Sequence, residues 1–217
     1  MKPYYQDKWV TIYHGDCREI LPELAIPFLS VDLLCTDPVW PGCKWDMPGK
    51  DEARELLIWL YKEACQLTQR LILIMGCDVD VRLLSGVPSR MPFFTVCWLK
   101  RTPPVYKGKL LYSADVAYIF GENYPGHLLS SEITGPSLGR KEYKNTHPAP
   151  RNLRHIRQLV SKYTAEGWLL LDPFMGSGTL IQAAREANRR CIGIDVKEEY
   201  CEIAARRCSQ EIMELKV

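Results

Sequence analysis

Residues 31–36 (VDLLCT), 71–75 (LILIM) and 168–171 (WLLL) are apolar with little alternation, as strands covered on both faces of a parallel sheet must be. Residues 10–13 and 190–194 (RCIGI) repeat the pattern more briefly, and residues 93–99 and 115–120 predict two further strands. Between these runs the apolar positions move to helical spacing. Residues 17–24 carry Ile20, Leu21 and Leu24, and residues 51–70 carry Leu56, Leu57, Leu60, Ala64 and Leu67 along one side. Residues 151–163 place Leu153, Ile156, Leu159 and Val160 inward and Arg151, Arg154 and Arg157 outward. A short helical piece at 79–84, a helix ending near Asn188 and a last one over 197–215 complete the series. Strands alternating with helices predict an α/β fold: a mostly parallel sheet with helices on both faces. No repeat or linker divides the chain, so residues 1–217 read as one domain, with a short insertion at about 100–146. Residues 121–146 show no period and read as a loop or small lid.

Two strand ends carry unusual loops. The run 168–171 passes through Asp172 and Pro173 into Phe174, Met175, Gly176, Ser177, Gly178 and Thr179. Glycines there can take positive φ and let a ligand approach the backbone, and Thr179 opens a helix whose first amide hydrogens lack partners. Asp195 ends the next strand 17 residues after Gly178, close to the spacing at which an acid meets ribose hydroxyls in a nucleotide-binding βαβ unit. No third glycine follows at the position a dinucleotide enzyme needs, which argues against a pyrophosphate, and no GxxxxGK[ST] lysine is present. The other loop, residues 36–42 (TDPVWPG), sets Asp37 and Pro38 before Trp40. An aspartate and a proline carbonyl can accept both hydrogens of an exocyclic amine while an aromatic ring stacks on a planar base. In an open α/β sheet ligands lie at the carboxyl ends of the strands, so both loops should face one crevice. Asp16 offers two readings, a helix cap and a ligand contact.

The net charge of +2 is unevenly spread: residues 98–157 hold 10 Lys+Arg against 4 Asp+Glu, and the remainder is slightly acidic. A basic segment on a neutral body suits a polyanion. Lys100, Arg101, Lys107 and Lys109, and then Arg140, Lys141 and Lys144, are the candidate phosphate contacts. The nine cysteines form no CxxC pair and fit a reducing cytoplasm. The four histidines have no metal-ligand spacing, and His14, His127 and His155 read as structural or surface residues. No apolar run is long enough to span a membrane, and a soluble, cytoplasmic protein is expected.

Taken together these residues resemble the amino-methyltransferases of DNA, whose catalytic tetrapeptide is [Asp/Asn/Ser]-Pro-Pro-[Tyr/Phe/Trp] and whose cofactor loop is Phe-x-Gly-x-Gly. Phe174, Gly176 and Gly178 match the loop, and Asp37, Pro38 and Trp40 match three of the four tetrapeptide positions; Val39 replaces the second proline. The order, with the catalytic motif first and His147-Pro148 just before the loop, is similar to the β-type permuted subgroup, and Gly15-Asp16 matches that subgroup's Gly-Asp element. The resemblance implies a Rossmann-like class I methyltransferase fold in permuted order and S-adenosylmethionine as cofactor. It implies cofactor contacts from Asp16, Asp172, Phe174, Gly176, Ser177, Gly178, Thr179 and Asp195, and catalysis by Asp37, Pro38 and Trp40 on a base flipped from duplex DNA. It leans to adenine N6, because Asp begins the tetrapeptide. Cytosine N4, an RNA substrate, and a catalytically weak nucleic-acid-binding subunit are the alternatives. The short recognition region raises the further expectation of a homodimer or relaxed specificity.

Overall fold

The structure, a computed structural model, describes residues 1–44, 46–76, 78–107, 110–126, 131–136 and 151–214. Its strands are β1 (Tyr5–Gln6), β2 (Val10–His14), β3 (Leu33–Thr36), β4 (Leu71–Gly76), β5 (Phe93–Lys107), β6 (Leu110–Phe120), β7 (Glu132–Pro136), β8 (Leu169–Asp172) and β9 (Arg190–Asp195). The helices are α1 (Cys17–Glu23), α2 (Ala53–Lys62), α3 (Leu153–Tyr163), α4 (Thr179–Glu186) and α5 (Glu198–Glu214). All nine strands form one sheet in the order β1-β2-β9-β8-β3-β4-β6-β5-β7. The run from β2 to β4 is parallel, and β6 returns antiparallel beside β4. The expected α/β architecture is therefore present, as a mixed sheet with a parallel centre.

Alternate residues of the central strands feed two cores, one on each face. Leu33, Cys35, Ile72 and Ile74 meet α3, α4 and α5 through Ile156, Leu159, Ile181, Ala184 and Ala204. On the other face Leu34, Leu71, Leu73 and Leu171 meet α1 and α2 through Ile20, Leu57 and Leu60. Burial of this kind on both faces is why the strand runs are apolar throughout. Cys35, Cys65, Cys97, Cys191 and Cys201 pack within these cores as small apolar side chains. Among the described residues no helix is long and apolar enough to cross a membrane.

Three expectations need correction. The helix over 51–70 ends at Lys62, and the chain tightens into a 3-10 turn over Ala64–Leu67 that delivers it to β4. The strands predicted at 93–99 and 115–120 are longer: β5 and β6 run on through the basic stretch after Leu99 as one long antiparallel pair, with a register shift between Lys100 and Val105 that absorbs Pro103 and Pro104. Within the stretch read as a loop or lid, residues 132–136 form β7, which lies parallel to β5. Residues 137–150, including His147 and Pro148, lie outside the described residues.

Candidate active site

The carboxyl ends of β2, β3, β4, β8 and β9 lie on one side of the sheet because those strands are parallel, and a crevice of about 1200 Å³ opens there. Every candidate cofactor and catalytic residue except Gly178 lines it: Asp16, Asp37, Pro38, Trp40, Asp172, Phe174, Gly176, Ser177, Thr179 and Asp195. Topology alone brings these together from positions almost 180 residues apart.

The glycine loop runs from β8 to α4. Gly176 (φ 51°) and Gly178 (φ 78°) are both left-handed, the conformation that favours glycine. Gly178 serves packing rather than the crevice, since a Cβ there would lie 2.5 Å from Ala204 Cβ on α5. The Gly176 amide donates to Asp195 Oδ2 (2.9 Å) and the Lys197 amide to Oδ1 (2.8 Å), so the loop is tied to the acid at the end of β9. A carboxylate accepts about four hydrogen bonds, which leaves Asp195 capacity for two ribose hydroxyls among the described residues. Burial pushes its carboxyl up to about 6, against the help of both amides. Asp172 is buried more deeply. Its Oδ1 accepts from Thr36 Oγ1 (2.6 Å) and from the Phe174 amide (3.2 Å), yet burial pushes the group up to about 7. Asp16 caps α1 by accepting from the Arg18 amide (2.8 Å), and the Arg18 guanidinium holds its carboxyl below the usual range. Both readings of Asp16 are thus compatible, because the capping side chain also lines the crevice.

This half of the crevice answers whether S-adenosylmethionine fits. Three carboxylates, Asp16, Asp172 and Asp195, face it from three strand ends. Such a set repels a pyrophosphate and suits a ligand that is cationic at one end and carries ribose hydroxyls at the other. The donor chemistry fits.

In the other half Asp37 follows β3 directly. Arg151 reaches it with a two-pronged contact, Nε to Oδ2 at 2.6 Å and a terminal nitrogen to Oδ1 at 3.0 Å, and its remaining nitrogen lies 2.7 Å from Asp115 Oδ1. Asp115, on β6 opposite Gly76, also accepts from Tyr112 Oη (2.7 Å) and pairs with Arg101. Although burial opposes ionisation, Arg151 and Arg101 hold the Asp115 carboxyl below the usual range. Trp40 is 6% exposed; its indole N–H lies between Asp37 Oδ1 (3.3 Å) and the Ile74 carbonyl (3.2 Å). The ring is a fixed wall of the crevice.

The outward placement of Arg151 requires correction. Helical periodicity places Arg151 outward, but the N-cap of α3 is Asn152, so Arg151 precedes the helix and turns into the crevice. Arg101, expected on phosphate, is committed to Asp115 and stacks over Tyr112, with its guanidinium carbon 4.7 Å from the ring centroid. Lys100 is half exposed and paired with Glu132 at 2.6 Å. The side chains of Lys107, Lys109, Arg140, Lys141 and Lys144 lie outside the description. Asp115 and Tyr112 were not singled out by sequence; the only local signal was an aspartate opening an otherwise apolar strand. His155 is buried, as a structural histidine, with Nε2 2.8 Å from the Lys100 carbonyl.

The family model described as DNA methylase of the N6/N4 class matches residues 27–206. The putative methylase YubD of Escherichia coli (strain K12) is 26% identical over 200 residues, covering 86% of this chain and 84% of that protein. The type II methyltransferase M.ScaI of Streptomyces caespitosus is 24% identical over an alignment of 274 positions, covering 99% and 86%. Among solved structures, the complex of M1.HpyAVI with SAM has a TM-score of 0.70 at 24% identity, covering 92% of this chain and 98% of that one. The PvuII DNA methyltransferase, described as cytosine-N4-specific, has a TM-score of 0.73 at 17% identity, covering 99% and 93%.

Proposed function

The chain belongs to the N6/N4 family of DNA methylases, and from that premise we propose that it methylates the exocyclic amine of a base flipped from duplex DNA, N6 of adenine in preference to N4 of cytosine. The observation that carries the reading is the crevice itself, in which Asp37-Pro38-Val39-Trp40 and the glycine loop with Asp195 share one space at adjoining strand ends. S-adenosylmethionine, when bound, supplies a sulfonium methyl that is already a strong electrophile. What remains for the protein is placement and one proton.

Asp195 is assigned to the ribose hydroxyls, Asp172 to a positively charged part of the cofactor, and Phe174 and the glycine-loop backbone to shaping its seat. An exocyclic amine is a poor nucleophile because its lone pair is delocalised into the ring. Asp37 and the Pro38 carbonyl, accepting one N–H each, favour a tetrahedral nitrogen and orient its lone pair toward the methyl. Asp37 then holds the proton the nitrogen must shed. Trp40 walls the base, a contact worth about 1–3 kcal/mol where a ring stacks. The amine lies inside the duplex until the base is extruded, so Asp37, one quarter exposed at the crevice, is assigned to a base that has left the stack.

The lean to adenine rests on the aspartate that opens the tetrapeptide. Digestion of methylated DNA to nucleosides tests it: N6-methyladenine is expected, and N4-methylcytosine would keep the site but overturn the base.

A further inference from the structure

Behind Asp37 the inner wall of the crevice holds an ion-pair array, Arg151 and Asp115 with Arg101, that the reading above does not use. Arg151 stands between two carboxylates, Asp37 on the crevice side and Asp115 behind. Its side chain is only 18% exposed, and that of Asp115 is 3% exposed. The rear carboxylate is itself fixed from two sides, by Arg101 and by the Tyr112 hydroxyl. Arg151 is fixed as well. It is followed by the N-cap of α3, and the first turn of that helix is pinned to β5 through His155 and the Lys100 carbonyl.

We infer that Arg151 is a positioning residue for methyl transfer: it clamps the Asp37 carboxylate in one orientation and leaves a single acceptor site, on Oδ2, for the target amine. The count is direct. Among the described residues Asp37 accepts from Arg151 and Trp40 on Oδ1 and from Arg151 on Oδ2, three bonds out of the about four a carboxylate takes. A planar guanidinium can hold both oxygens at once and still offer a third nitrogen to Asp115, which a lysine ammonium cannot reproduce. Without the clamp the carboxylate is free to rotate about its own bonds, and misplacement of a reacting group by about 1 Å can lower a rate on the order of 100-fold. Arg151 touches neither methyl nor base; it acts through Asp37.

The inference rests on the proposed methyl transfer, and Arg151→Lys separates the two. It keeps the positive charge between two carboxylates, so the fold is expected to stand, but it breaks the fork. In methyl transfer from S-adenosylmethionine to DNA, kcat of R151K is expected to fall at least about 10-fold, and that of R151M on the order of 100-fold. KM for DNA and the dissociation constant of the cofactor are expected to stay within about threefold of wild type. A wild-type protein that transfers no methyl to DNA refutes the proposed function itself. A wild type that does, beside an R151K protein with kcat within about twofold of it, refutes the positioning role. So does an R151K protein whose cofactor affinity falls as far as its kcat, since that assigns Arg151 to the fold.

Discussion

Asp172 is a deeply buried carboxyl group on the floor of the crevice, and replacing it with asparagine should change how the protein's stability depends on pH. The buried carboxyl is raised from the usual 3.8 to about 7, chiefly by burial, with the Asp37 and Asp195 charges adding to it and the bonds from Thr36 and Phe174 opposing. A raised folded-state value means that the native protein binds a proton the unfolded chain has released between about pH 4 and pH 7. Stability from this group is therefore complete below pH 4 and lost as pH climbs to 7. The rise corresponds to about 4 kcal/mol in total, of which roughly half falls between pH 5 and pH 8. Asparagine keeps an oxygen to accept from Thr36 Oγ1 and the Phe174 amide and has no proton to lose. Urea denaturation of the cofactor-free protein at pH 5, 6, 7 and 8 reads the difference. D172N should lose about 2 to 3 kcal/mol less than wild type across that range, with the residual slope coming from Asp195, raised in the same sense to about 6. Parallel curves for the two proteins would refute the burial argument. Under the proposed assignment of Asp172 to a positively charged part of the cofactor, the same variant should bind S-adenosylmethionine at least about 10-fold more weakly, because a charged partner is replaced by a neutral one.

Two other substitutions probe the scaffold and the surface. Gly178→Ala sets a Cβ 2.5 Å from Ala204 Cβ and 3.1 Å from its Cα at a φ of 78°, so a loss of about 1–3 kcal/mol is expected in thermal melting; an unchanged melting temperature would show that α4 and α5 separate freely. Lys100→Ala removes a half-exposed pair with Glu132 and should cost under about 1 kcal/mol of stability while lowering the salt slope of DNA binding by about 0.9; an unchanged slope would remove Lys100 from the phosphate contacts.

What the sequence made legible and what it hid follow one physical line. The strands β3, β4 and β8 announce themselves because burial on two faces demands continuous apolar residues, and the glycine loop because only glycine takes its dihedrals readily. Asp37 and Asp195 are legible for the same local reason, each closing such a strand. The array behind Asp37 has no local signature. Arg151 comes from the chain just before α3, Asp115 from a strand 36 residues earlier, and only the β4–β6 pairing opposite Gly76 brings them to one wall. Helical periodicity misled at Arg151 because Asn152, one residue later, is the cap: a residue outside the helix does not obey its face. The β5–β6 hairpin was obscured by Pro103 and Pro104, which deny ladder hydrogen bonds and are tolerated where the register slips.

The proposal that Asp37 receives the amine is tested most directly by radiolabelled methyl transfer from S-adenosylmethionine to unmethylated DNA, with wild type beside Asp37→Ala and cofactor affinity measured on both. The expected result is label in DNA from the wild type, a loss of at least about 100-fold in D37A, and cofactor affinity within about threefold, because the proposal assigns Asp37 to the base and Asp195 to the ribose. Equal label from the two proteins would contradict it and move the chemistry to another group in the crevice.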